Sequence, residues 1–136
     1  MPGIVGLITG QPRQDAEAKL ARMIGAMIHE PSYTSGTWVD ERLGIYVGWV
    51  ARAGSFADNM PLENEKRDLV LIFSGEEYAE SDTETRLKGR GHILSDKNCS
   101  YLVHVAEEDR SFPKGLNGRF HGLLINKARG DGKLFL

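Results

Sequence analysis

Hydrophobic positions along this chain change period several times, and each change marks an element. The apolar residues Ile4, Val5, Leu7 and Ile8, broken only by glycine, predict a strand buried on both faces. Positions 9–13 read as a turn punctuated by Gly10 and Pro12. Over 14–28, Ala16, Leu20, Met23, Ile24, Met27 and Ile28 recur at three- and four-residue spacing, the stripe of an amphipathic helix, with Asp15 and Glu17 suited to its first turn. Pro31 ends that helix, and 29–36 reads as a polar loop. Two strands follow at 37–39 and 43–50, joined by the charged turn Asp40-Glu41-Arg42, and 51–62 is irregular. The run Asp68-Leu69-Val70-Leu71-Ile72-Phe73 is the strongest strand signal. It is apolar on both faces, hence central in its sheet, and leads into Ser74-Gly75-Glu76-Glu77. A short helix fits 83–88 and another fits 101–108, although Val103-His104-Val105 also suits a strand. After a turn at 114–118, strands at 120–126 and 133–136 pair as a hairpin around an Asp-Gly turn at 128–132. The pattern is α+β, with strands in the majority.

Composition narrows the class. At 136 residues the chain is long enough for one domain with a real core, and 40% hydrophobic with 26% charged residues is ordinary for a globular protein. A net charge of −2, with no dense Lys/Arg stripe, gives no reason to expect a nucleic-acid partner. No apolar run approaches a membrane span, and no basic segment leads into a signal-like stretch. The single cysteine, Cys99, excludes an internal disulfide framework and points to the cytoplasm. His29, His92, His104 and His121 share no spacing, so with one cysteine they suggest no metal site and receive no role. Tyr78, Trp38 and Trp49 read as core or rim residues.

Chemistry is first suggested at the start of the chain, Met1-Pro2-Gly3-Ile4-Val5-Gly6. Met1 precedes a small residue, so its removal is expected, leaving Pro2 as the N-terminus. A free α-amine, with an ordinary pKa of about 7.7–8.0, is a usable base near neutral pH. An ordinary first strand tied into a sheet is the alternative.

Four segments in order carry a resemblance to a known family. They are the opening Met1-Pro2-Gly3-Ile4-Val5-Gly6, the loop His29 to Gly36 with Pro31, the post-strand Ser74-Gly75-Glu76-Glu77-Tyr78, and Leu116-Asn117-Gly118-Arg119-Phe120. The chain resembles the N-terminal class II glutamine amidotransferase domain of asparagine synthetase. The resemblance implies a four-layer αββα sandwich of the Ntn-hydrolase type, in which two antiparallel sheets pack face to face. In that family an N-terminal cysteine attacks the glutamine side-chain amide, with its own α-amine as base. An Asn and a Gly form the oxyanion hole, the side-chain donor contributing about 3–4 kcal/mol. An Arg and an Asp hold the substrate's charged groups, and ammonia passes to an ATP- and Mg-dependent synthetase domain.

Position by position, the resemblance places Pro2 at the nucleophile and Ser74 and Gly75 at the oxyanion hole. Asn98 stands at the substrate aspartate, with Asp96 nearby, and Arg52 stands one residue late for the substrate arginine. Pro2 has no group able to form an acyl-enzyme, and Cys99 reads as a small packing residue rather than a substitute. The expectation is therefore a degenerate domain covering 1–136, without glutaminase activity, that needs no cofactor itself. It would be a structural or regulatory partner of a synthetase-type ATP-binding domain, with ATP and Mg belonging there. The chain ends inside an apolar strand, which reads as an N-terminal piece of a larger protein. A homodimer is a further option. Two alternatives stay open. One is an amino-acid or amide binding module, glutamine included, in which Arg52 and Glu76 contact the ligand unless Glu76 merely caps the next segment. The other is an enzyme that uses the Pro2 amine as a base or iminium-forming nucleophile.

Overall fold

The computed structural model describes residues 2–136 as an α+β protein of two compact units, Met1–Met60 and Pro61–Leu136. Among the described residues there are three helices and two antiparallel sheets.

The first unit holds β1 (Gly3–Ile8), α1 (Arg13–Met27), β2 (Tyr33–Asp40) and β3 (Ile45–Arg52), in the sheet order β1-β3-β2. The 14–28 helix is thus found one residue earlier than its pattern suggests. Ala16, Leu20 and Ile24, four residues apart, are its buried stripe and pack with Tyr46 and Val50 of β3. Two expectations fail here. Strand β1 lies at the sheet edge and is only half-buried, so its apolar run does not mean burial on both faces. The polar stretch from Tyr33 to Gly36 is not loop but the first half of β2, also an edge strand. There Gly36 pairs with Trp49, whose ring lies where a Cβ would sit, 2.3 Å away.

The second unit holds β4 (Leu62–Glu63), β5 (Leu69–Glu77), α2 (Thr83–Gly89), α3 (Tyr101–Glu108), β6 (Gly118–Asn126) and β7 (Asp131–Phe135), in the sheet order β4-β5-β6-β7. Strand β5 is internal, and Leu69 to Ser74 are all buried. It does not stop at Phe73; pairing with β6 continues to Glu77 opposite Gly118. Residues 101–108 are helix rather than strand. Phe73 stacks on Phe120 at 5.3 Å, and Phe135 meets both Phe120 and Phe112 edge-on, which fixes the β7 end of the sheet. Among the described residues no helix is long and apolar enough to cross a membrane.

Candidate functional site

In the first unit, Pro2 is exposed and directly precedes Gly3, the residue that begins the β1–β3 ladder opposite Val50. Arg52 lies two residues beyond Val50 and ends β3. Its side chain is 63% exposed and pairs with Glu30 Oε2 at 3.3 Å. Glu30 belongs to the stretch after α1, so Arg52 meets a loop carboxylate in a solvent-screened pair.

In the second unit, Ser74, Gly75 and Glu76 are consecutive on β5. Ser74 is buried opposite His121, whereas Gly75 and Glu76 are exposed. Gly75 has φ of 118°, and a Cβ there would lie 2.2 Å from the Arg119 carbonyl oxygen, so only glycine lets β6 approach. A pocket of about 410 Å³ opens at this point, lined by Gly75, Glu76, Tyr78, Asn117, Gly118 and Arg119. Its charged groups are opposite in sign and directly cross-strand, Glu76 facing Arg119. The Tyr78 hydroxyl donates to Glu76 at 2.9 Å, and this bond to a carboxylate is the main cause that raises the phenol's pKa. Arg119 was not singled out by its sequence context, and only the strand register reveals it. Asn98 does not line this pocket; it is exposed on the segment before α3, beside the fully buried Cys99.

A second polar centre forms where sequence spacing suggested none. Asn64 builds its first part. The Asn64 side-chain oxygen accepts the Asp68 and Leu69 N–H groups at 3.1 Å, closing the turn between β4 and β5 and presenting Glu65. The end of α2 supplies the second part. Gly91, at φ of 94°, donates to Lys88, and His92 N–H donates to Leu87, a Schellman ending that turns the chain at His92. Helix α3 supplies His104 and Glu107, three residues apart and so on one face.

These three segments bring Glu65, His92, His104 and Glu107 together, with one ligand-type atom from each lying within 4.8 Å of all the others. His104 is 2% exposed. Its Nδ1 and the Glu107 Oε2 are buried without a hydrogen-bond partner. The two imidazole rings are 4.9 Å apart. Burial, and secondarily the neighbouring His92, lower the His104 pKa against the opposing pull of Glu65 and Glu107, which favours the neutral ring. Burial alone would raise the Glu65 carboxyl, but the Ile93 N–H bound at 2.6 Å and the two histidines hold it below its ordinary value. These are the described residues able to hold a metal. The chain matches no protein-family model and has no significant match among curated proteins.

Proposed function

We propose that this chain is a degenerate class II glutamine amidotransferase domain that lacks glutaminase activity and acts as a structural or regulatory partner of an ATP-dependent, amide-forming synthetase domain. The observation that carries this reading is the head of β1. An exposed proline stands immediately before the first sheet-paired residue, Gly3, where the resembled enzymes have their cysteine. Proline offers a secondary amine but no thiol or hydroxyl, so the acyl-enzyme cannot form. The element order, two antiparallel sheets and a β5 that carries Ser74-Gly75-Glu76 support the resemblance. The four-layer αββα arrangement is part of the same proposal.

A second reading, retained ligand binding, is favoured by the Glu76–Arg119 pair at the pocket beside Gly75. An α-amino acid carries one ammonium and one carboxylate, and the two side chains offer one complementary charge to each.

Glutamine hydrolysis by the purified chain and by Pro2→Cys, with Met1 removal checked by mass spectrometry, tests both readings. No ammonia from the unaltered chain is expected. Ammonia from the Pro2→Cys chain alone would mean that the pocket still binds glutamine and only the nucleophile is gone. Silence from both, with circular dichroism showing both chains folded, would mean that the binding site is lost too and would favour a structural role. Ammonia from the unaltered chain would overturn the proposal.

A further inference from the structure

We propose that Glu65, His92, His104 and Glu107 form a structural site for a zinc-type divalent cation in the second unit. The distances carry the argument. His92 Nδ1 lies 3.4 Å from Glu65 Oε1 and 3.8 Å from Glu107 Oε2, and His104 Nδ1 lies 3.5 Å from Glu65 Oε1. Direct N–H···O bonds are shorter, about 2.7–3.2 Å. Ligands held about 2.0–2.1 Å from a tetrahedral ion are separated by about 3.3 Å, close to these spacings. These three gaps are longer than direct hydrogen bonds and near the edge length of a tetrahedral site, and the remaining pairs of ligand atoms lie within 4.8 Å, close enough to draw in around a cation.

A bridging proton explains less. Even a doubly protonated His92 commits Nε2 to Glu108 at 3.1 Å and leaves one N–H to serve both remaining carboxylates. His104 Nδ1 stays without a partner, although the residue is 2% exposed and the atom faces Glu65. A cation satisfies His104 Nδ1 and Glu107 Oε2 at once. Two carboxylates balance a divalent charge, and this mixed nitrogen–oxygen set suits zinc.

The surrounding shell fits as well. The Glu108 carboxylate holds the far nitrogen of His92 and is itself bonded by Arg90, the arrangement that fixes a metal-binding imidazole's orientation. Glu65 is steadied by the Ile93 N–H. Four protein ligands fill a tetrahedral ion, so the site staples the β4–β5 turn, the end of α2 and the face of α3, and leaves no position for a reactive water.

The test uses the untagged full chain, stripped with a chelator and titrated with Zn²⁺ against a chromophoric competitor. One equivalent per chain is expected, with a rise in Tm of at least about 5 °C at hundredfold excess over Kd. His92→Ala should weaken binding at least a hundredfold. His92 is half-buried outside the helices, so this variant should fold, as circular dichroism would check. Glu108→Gln, which touches only the outer shell, should weaken binding about 10–100-fold. Co²⁺ in place of Zn²⁺ should give the intense visible bands of a four-coordinate ion. Absence of stoichiometric Zn²⁺ binding, or unchanged affinity in folded His92→Ala, would overturn the site, and preference for Mg²⁺ over Zn²⁺ would overturn the zinc-type assignment. None of these readouts depends on glutamine or on Pro2, so this proposal and the amidotransferase reading fail separately.

Discussion

Leu20, Ile24, Tyr46, Val47, Trp49 and Val50 are typical of what the first unit buries, and among its described residues no serine, threonine, asparagine, glutamine, histidine or charged side chain is buried. The second unit buries Val70, Leu71, Ile72 and Leu102 in the same way, yet Asn64, Ser74, Glu77, Thr83, Ser100 and His104 go under with them. Apolar burial is non-directional and indifferent to protons and ions. Polar burial needs a partner at a fixed distance, and a group without one weakens the fold or recruits a ligand. The contrast explains why the Glu65–His92–His104–Glu107 centre lies in the second unit. There the turn at Asn64 and the ending of α2 hold side chains whose demands the protein alone does not meet.

The largest expected effect lies on the apolar side. Leu20 is 1% exposed between α1 and β3, and Leu20→Ala should cost about 2–5 kcal/mol through lost burial and the cavity left behind. Urea denaturation followed by tryptophan fluorescence suits the measurement, because both tryptophans, Trp38 and Trp49, belong to this unit. The loss should be the same with and without Zn²⁺. A zinc-dependent loss would break the comparison.

Tyr101 tests the polar side. Its hydroxyl donates to the Glu77 carboxylate inside the second unit. Burial first, and that bond second, raise the phenol well above its ordinary value of 10.0. Below pH 10 both folded and unfolded chains hold the proton, and the contribution to stability is complete. Above it the unfolded chain releases the proton first, so this contribution is lost as pH rises toward the folded value. Tyr101→Phe should cost about 1–2 kcal/mol at pH 7 by stripping Glu77 of a donor, and should flatten the alkaline fall in stability. Denaturation at pH 7, 9, 10 and 11 would check it. An unchanged alkaline slope would mean that the buried pair is not what makes this unit sensitive to pH.

The same contrast decides what the sequence could disclose. Helix α1 and strand β5 were legible because their burial is apolar and periodic: Ala16, Leu20 and Ile24 at intervals of four, and Leu69 to Phe73 without a break. The first half of β2 was missed because an edge-strand segment built from Thr34, Ser35 and Gly36 carries no apolar alternation, and the polar end of β5 hid for want of the same alternation. The Glu65–His92–His104–Glu107 centre is assembled from three segments, so no spacing along the chain encodes it. Its local traces were the three-residue step from His104 to Glu107 and the glycine-rich end of α2 that delivers His92. Arg119, likewise, acquires its partner Glu76 only through the β5–β6 register.

The smallest effect belongs to Arg52, and it sharpens the comparison from the first unit's surface. The resemblance would have this side chain hold a substrate carboxylate, yet its partner here is Glu30 at 3.3 Å, with Arg52 63% and Glu30 48% exposed. Water screens such a pair, and ordering two long side chains offsets much of the attraction, so Arg52→Ala should lower stability by less than about 1 kcal/mol. Raising the salt concentration should shrink even that difference. Thermal melts of the two chains at low and high salt would measure it. A loss well above 1 kcal/mol that survives high salt would show the first unit depending on a charged group after all, and the division between apolar and polar burial would then no longer follow the two units.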